Sequence, residues 1–441
     1  MDTGQAKMRI LKRILLISAL LAGLLVILLI ATGLWFVSRY SPEDAGWSYS
    51  TVVLAKDGSL LGATTARDGM WRFPPLRDSI PNKIEIATLV QEDKRFYRHF
   101  GVDPIAIARA MYVNVKAGKV KQGGSTITMQ LARILMGNQP RTFFQKLKEI
   151  LLAIGLELKY SKKEILLWYL SLAPYGGNIV GVEAASWRYF GKPLNHLTWA
   201  ESATLAVLPH SPSLINLRKN RELLEKKRNR LLYKIFKNGY IDSNEYALSI
   251  KEPIPVYKHR LPTHLIQMFP RLRRMVDSQT KIRTTINPFV QKKVEDIVLT
   301  HYQTNLLPSD VHNIAVVVVD LRSGEVVAAV PNVPLDTSQT IASQWVDMLH
   351  AERNPGSALK PVLYASALTD GIILPSSLLP DYPISVAGYA PRNFSGGFRG
   401  AVPAWKALAH SLNVPAVVLL HRYGVEKYHF VLRKLGLSSI K

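Results

Sequence analysis

The 441-residue chain contains no cysteine, which removes disulfides, thiolate nucleophiles and Cys-ligated zinc at once. The compartment stays open on that ground, because a chain of this size can stand on its hydrophobic core without disulfides. Acidic residues are scarce: 32 Asp and Glu stand against 56 Lys and Arg, leaving a formal charge of +24. Such a balance points to a polyanionic partner. With 48% hydrophobic and only 20% charged residues, the basicity sits on a globular chain and not on a disordered tail. Long apolar runs are also few. One stretch alone is long enough to span a bilayer, which excludes a multi-pass transporter, and no internal repeat or low-complexity tract is present. The length allows two to three domains.

The single apolar run, Ile14 to Ser38, holds 25 residues without a charge, about 37 Å as helix against a hydrocarbon core of about 30 Å. A cleaved signal peptide has a shorter apolar region ending in small residues, whereas this run ends Leu34-Trp35-Phe36-Val37. Residues 14–38 are therefore expected to be an uncleaved transmembrane anchor. Lys7, Arg9, Lys12 and Arg13 precede it, so the positive-inside rule keeps the tail 1–13 cytoplasmic and sends residue 39 onward across the membrane. On that side nucleic acid is not an expected partner. Anionic lipid headgroups, pyrophosphates or an acidic polymer are.

Residues 39–82 form a membrane-proximal segment, in which Thr51 to Leu54 and Ser59 to Leu61 flank a Lys56-Asp57-Gly58 turn, the pattern of a short hairpin. Residues 83–250 have helical periodicity. Leu147, Ile150, Leu151, Ile154 and Leu158 make an apolar stripe, Ser161 with Glu164 reads as a capping box, and Gly239 reads as a C-cap to the basic helix that starts near Asn220. Residues 251–283, with four prolines, read as a linker. From 284 to 441 the pattern changes: Ile314 to Asp320 and Glu325 to Val330 are strand-like runs joined at Arg322-Ser323-Gly324, followed by a helix from about Ala358.

Chemistry-bearing residues crowd into two stretches of the helical region. Glu92 to Gly101 mixes acidic, basic and aromatic residues at a helix end, and Gly123-Gly124-Ser125-Thr126-Ile127-Thr128-Met129-Gln130 leads two glycines into hydroxyl residues at a helix start. Backbone N–H groups and hydroxyls in that setting can hold a phosphate, and the same pattern serves a plain N-cap. Lys146 and Glu149 lie one helical turn apart, the spacing of an ordinary ion pair. Together these segments resemble the family 51 glycosyltransferases, the peptidoglycan polymerases of class A penicillin-binding proteins. The resemblance rests on E-D-x-x-F-x-x-H-x-G at Glu92 to Gly101, G-G-S-T-I-T-x-Q at Gly123 to Gln130, K-x-x-E at Lys146 to Glu149, K-E-I-L-x-x-Y-L at Lys163 to Leu170, and Glu201-Ser202-Ala203 with Leu208-Pro209, five motifs in order over about 120 residues.

The resemblance implies a lysozyme-like, α-rich domain that joins lipid II units into glycan strands with inversion at the anomeric carbon. It implies Glu92 as the base that deprotonates the acceptor hydroxyl, and Glu149 as a second acidic residue at the donor pyrophosphate. Ser125, Thr126, Gln130, Arg133 and Lys146 are implied to bind the lipid II pyrophosphate, assisted by Mg²⁺ or Mn²⁺, with no organic cofactor. Lys116, Lys119 and Lys121 are candidates for contact with membrane lipids. Met129, Gln145, Arg133, Leu167 and Ser171 depart from the family's usual residues, and Gln145 for arginine removes a cation beside Lys146.

Ser357-Ala358-Leu359-Lys360 fits S-x-x-K, in which a lysine one turn from a serine can take its proton. The same spacing recurs at Ser278 to Lys281 and Ser438 to Lys441, but only Asn354-Pro355-Gly356 before and Pro361 after reproduce the P-G-S-x-x-K-P of penicillin-binding transpeptidases. Ser411-Leu412-Asn413 then supplies S-x-N. The resemblance implies Ser357 as acyl-ester nucleophile, with Lys360, Ser411 and Asn413 around it. No K-T-G or K-S-G triplet follows Asn413. The expected second domain is therefore a partial α/β, β-lactamase-like one with little or no transpeptidation and weakened penicillin binding, its strands short of cover and protease-sensitive.

The sequence thus predicts a multidomain protein of the cytoplasmic (inner) membrane with its catalytic domains on the periplasmic side: a peptidoglycan glycosyltransferase acting on lipid II and the growing glycan strand, recruited among other cell-wall synthesis proteins. The alternatives are a bifunctional synthase whose remainder is encoded downstream, and a non-catalytic lipid II-binding scaffold. The 57-residue interval between two retained glutamates speaks against the scaffold. A glycan hydrolase on a lysozyme-like fold is disfavoured by the basic, hydroxyl-rich cradle, since polymeric glycan has no pyrophosphate at its scissile bond.

Overall fold

The computed structural model describes residues 3–77, 79–118, 123–140, 142–210, 220–276, 280–334, 344–386, 388–437 and 439–440, without the side chains of residues 3–14, Ala19, Ala22, Leu25 and His210. Lys119 and Lys121, with Ser278, Ser438 and Lys441, lie outside the described residues. The chain divides into two compact units, Met1–His350 and Ala351–Lys441.

The first unit begins with helix α1 (Thr3–Arg39). Leu15, Leu16, Ile17, Leu20, Leu21, Leu24, Ile27 and Leu28 are all more than half exposed on it, whereas Val37 is buried. Among the described residues no helix is long and apolar enough to cross a membrane. The expected hairpin is present as β1 (Val52–Leu54) and β2 (Leu60–Ala63), antiparallel with a bulge at Val53/Leu54. A short strand β3 (Trp71–Arg72) follows.

The helical region then runs α2 (Asn82–Glu92), α3 (Pro104–Ala117), α4 (Ile127–Leu135), α5 (Phe143–Lys159), α6 (Lys162–Leu172), β4 (Pro174–Gly176), β5 (Ile179–Val180), α7 (Val182–Phe190), α8 (Trp199–Val207), α9 (Arg221–Lys237) and α10 (Ser243–Lys251). Helix α2 packs on α8 and α9, and α4 packs between α5 and α6. Their shared core includes Ile84, Ile127, Leu131, Leu152, Leu156, Leu166, Tyr169 and Ala203. Ser161 and Glu164 form the expected capping box, with Thr198–Glu201 and Asp242–Glu245 as two more.

One expectation about packing changes. The stripe Leu147, Ile150, Leu151, Ile154 and Leu158 is not the core face of α5: Leu147 and Leu158 stay exposed, and Glu149, Leu152, Ala153, Gly155 and Leu156 are buried instead. The reason is α1, which lies along α5. Ile154 and Leu158 line an apolar groove with Val26, Leu29 and Ile30, so α5 carries two apolar faces, one for the core and one for α1. At the crossing a Cβ on Gly155 would sit 2.1 Å from the Gly33 carbonyl oxygen, so the two backbones touch and only glycine fits.

After α11 (Phe269–Met275), β6 (Lys281–Arg283) pairs parallel to β1 and makes the hairpin a three-stranded sheet. Helix α12 (Pro288–His301) packs on the antiparallel pair β7 (Val316–Val319) and β8 (Val326–Val330). Gln291, fully buried, accepts from Ala329 N–H and donates to Ala329 C=O, so its amide takes the place of a neighbouring strand. Val317 and Val319 on β7 are nearly half exposed. These strands fall in the first unit, apart from the S-x-x-K segment.

In the second unit a short 3₁₀ turn, Gly356–Leu359, leads into α13 (Lys360–Thr369), with β9 (Leu378–Asp381) antiparallel to β10 (Gly400–Pro403) and helices α14 (Ala404–Ala409), α15 (Asn413–Tyr423) and α16 (Val425–Lys434). Its own core contains Leu363, Tyr364, Leu379, Val402, Ala407, Leu419 and Leu432.

Candidate functional site

Glu92 is the last residue of α2, and the residue after it ties that helix end to the next motif. Asp93, buried, is bonded through both carboxylate oxygens to His99 Nε2 at 3.0 and 3.1 Å, and its Oδ2 accepts from Ile127 N–H at 3.1 Å. The first turn of α4 therefore docks against the end of α2. Thr126 caps α4 by accepting from Met129 N–H, and its hydroxyl donates to Gly101 C=O at 2.6 Å. Gly101 has φ +74°, and a Cβ there would meet the Ala153 carbonyl oxygen at 2.9 Å; a Cβ on Gly124 would meet Ile107 Cα at 2.9 Å. Both motif glycines thus permit close backbone contacts that a side chain would block.

The carboxylate of Glu92 accepts from Gln130 Nε2 at 2.8 Å, and Gln130 Oε1 accepts from the Tyr169 hydroxyl at 3.2 Å. Gln130, expected at the pyrophosphate, is here a neighbour of the candidate base. Lys146 Nζ bonds Ser125 Oγ at 2.8 Å and Glu149 Oε2 at 2.9 Å. Glu149 is buried while the Lys146 side chain is 41% exposed, so the ammonium is held from within and presented outward. Arg133 Nε is buried without a hydrogen-bond partner among the described residues. Ser125, Lys146 and Glu149 form one hydroxyl–cation–carboxylate cluster across the packed pair α4 and α5.

The departures from the family pattern are absorbed into packing. Met129 is fully buried and Leu167 nearly so. Ser171 donates to Leu167 C=O and accepts from Leu76 N–H. Gln145 reaches the Met136 sulfur at 3.7 Å. Lys116 is exposed at the end of α3. As for a metal, no three His, Asp or Glu side chains gather as ligands among the described residues, and Glu149, the carboxylate of the cradle, is already engaged by Lys146. An Mg²⁺ or Mn²⁺ ion at the pyrophosphate would share Glu149 with Lys146 and take its remaining oxygen ligands from the phosphates and water.

Sequence reasoning singled out neither Asp93 and His99 nor Tyr169 as site residues, although all three stand inside quoted motifs; the signal was an acid and a histidine six residues apart and a tyrosine in an otherwise apolar stretch.

In the second unit Lys360 Nζ donates to Ser411 C=O at 2.6 Å, Ser411 Oγ at 3.1 Å and Asn413 Oδ1 at 2.6 Å. All three ammonium protons are used. Burial holds the Lys360 pKa below its ordinary value. Ser411 adopts φ +50°, a conformation that costs a non-glycine residue about 1 kcal/mol or more. Asn393 Oδ1 accepts from Asn413 N–H at 2.9 Å while its Nδ2 donates to the buried Asp381 at 2.7 Å, and no sequence spacing pointed to that support. Ser357, at the 3₁₀ turn, is exposed; its carbonyl accepts from Lys360 N–H, and among the described residues its hydroxyl bonds none of these groups.

Two families match the chain: Transglycosylase over residues 58–236 and Penicillin binding protein transpeptidase domain over residues 314–440. Penicillin-binding protein 1C of Escherichia coli (strain K12) is 38% identical over 387 residues, covering 88% of this chain and 49% of its own length. Penicillin-binding protein 1B of Vibrio cholerae is 34% identical, covering 82% and 49%. The crystal structure of Penicillin-Binding Protein 1A from Haemophilus influenzae aligns with 88% of this chain and 63% of that one, at a TM-score of 0.39 and 18% identity. The chain spans about half the length of the curated relatives it matches.

Proposed function

Because the chain belongs to the class A penicillin-binding proteins, with a transglycosylase and a penicillin-binding transpeptidase domain, we propose that it polymerises lipid II into glycan and releases undecaprenyl pyrophosphate. The observation that carries this reading is the Asp93 bridge, which joins the end of α2, where Glu92 sits, to the start of α4, two residues after Ser125. A base and a leaving-group cradle are thereby fixed on one rigid helical body. Glu92, hydrogen-bonded by Gln130, takes the proton of the acceptor hydroxyl as it attacks the anomeric carbon. The departing pyrophosphate gathers negative charge, which Lys146 and Ser125 stabilise. Glu149 holds Lys146 in place from the core side. The chain's own cations carry the leaving-group charge in this scheme, and an Mg²⁺ or Mn²⁺ ion bound at the pyrophosphate would neutralise the same charge.

The charge-free run of α1, with Leu15, Leu16, Leu20, Leu21, Leu24 and Leu28 more than half exposed, supports a single-pass anchor. The enzyme then sits in the cytoplasmic membrane with its basic domains on the periplasmic side, beside anionic lipid and other cell-wall synthesis proteins.

For the second unit, Lys360, Ser411 and Asn413 support Ser357 as an acyl nucleophile with Lys360 as its base. For the glycosyltransferase, Lys146→Ala is expected to lower lipid II polymerisation by about 10²- to 10³-fold; full activity in that variant would remove the cradle from the mechanism.

A further inference from the structure

Tyr169 is among the largest fully buried side chains, and a buried phenol needs a partner. Among the described residues its hydroxyl has one acceptor, Gln130 Oε1 at 3.2 Å, and Gln130 Nε2 in turn donates to Glu92 Oε2 at 2.8 Å. A primary amide is nearly symmetric in shape and opposite in polarity at its two ends. Turned over, Gln130 would set a carbonyl against the Glu92 carboxylate and leave the buried Tyr169 proton without an acceptor, two penalties in one move. Among the described residues the phenol alone distinguishes the two orientations on the far side.

We propose that Tyr169 is a positioning residue for the transfer reaction: through Gln130 it fixes an N–H on Glu92 and thereby keeps that carboxylate ionised and aimed. The inference rests on Glu92 as the general base. A hydrogen bond donated to a carboxylate favours its charged form, and a carbonyl in the same place favours the protonated form.

The groups that face Glu92 from the surrounding elements are Tyr169 of α6, Tyr175 of β4 and Lys234 of α9, with Arg230 and Lys94 beside Lys234. Asp93 is turned to His99 and Ile127, and Glu201 of α8 to Lys192. Burial first, then the charge of Glu92, pushes the Tyr169 phenol well above its ordinary value, so it remains a donor through the working range. Burial, then Arg230 and Lys94, pushes the Lys234 ammonium down, against the pull of Glu92. Loss of that cation belongs to the alkaline limb of a rate profile, away from the acid limb on which a base reports.

The test is the pH dependence of kcat/KM for labelled lipid II with the full chain in detergent, comparing the parent with Tyr169→Phe, which keeps the ring and deletes the hydroxyl. A base is active above its pKa, so raising that pKa moves the acid limb upward. The expected displacement is about one pH unit, or about tenfold less activity on the acid limb, with the alkaline plateau retained. In a Gln130→Met background, which itself shows the displaced limb, Tyr169→Phe is expected to add nothing. A superimposable profile, or an equal loss at every pH as a packing defect would give, overturns the inference. Glu92→Gln separates the two readings: activity retained there removes the base and this inference with it, whereas an inactive Glu92→Gln beside an unshifted Tyr169→Phe profile removes this inference alone.

Discussion

At the scale of single residues, the two motif glycines and the Asp93–His99 pair do more structural than chemical work. Asp93→Ala would strand His99 and the Ile127 N–H in a buried setting, and a loss of about 2–4 kcal/mol is expected, read as a fall in unfolding midpoint. Gly101 and Gly118 separate conformation from contact. Both have positive φ, but a Cβ meets the Ala153 carbonyl at Gly101 and nothing within 4 Å at Gly118. Gly101→Ala is therefore expected to cost about 1–3 kcal/mol more than Gly118→Ala in the same unfolding experiment. The site residues were legible in the sequence as types at fixed spacings, and Glu92, Ser125, Lys146 and Glu149 all stand where side chains meet. What spacing did not give was the partner of each: that Lys146 is shared between Ser125 and Glu149, or that Gln130 turns to Glu92, depends on how α4 lies against α2 and α5.

Elements read well wherever the chain signals its own ends. The capping box at Ser161, the β1–β2 hairpin and the turn at Arg322 to Gly324 are local chemistry, and they stand at the expected places. Long-range pairing left no local mark. The parallel pairing of β6 with β1, some 230 residues earlier, and the glutamine that replaces a strand beside Ala329 are examples. Helix α5 shows the same limit, since an apolar stripe says that a face is covered but not by what. Its α1-facing side yields a direct test. Gly155→Leu would drive a side chain into the Gly33 backbone, whereas Gly23 on the same helix α1 has nothing within 4 Å of an added Cβ. Gly155→Leu is expected to destabilise the first unit by about 1–3 kcal/mol and Gly23→Leu to be silent. Equal behaviour of the two variants in detergent would mean that α1 and α5 do not cross at these glycines.

At the scale of the whole molecule, the proposed attachment to an anionic membrane rests on the excess of 24 positive charges and the exposed apolar run of α1. Binding of the chain to vesicles containing anionic lipid is expected to exceed binding to neutral vesicles and to weaken as salt rises above physiological strength, with the apolar contribution of α1 left as a salt-independent remainder. Loss of all binding at high salt would argue against the anchor. The central claim is narrower: one helical body holds a carboxylate base and a cationic cradle for a pyrophosphate leaving group. Polymerisation of labelled lipid II by the detergent-solubilised chain, with and without Glu92→Gln, tests it most directly. The expected result is glycan from the parent and at least about a hundredfold less from Glu92→Gln; lipid II bound but never polymerised by the parent, or equal polymer from both, would contradict it.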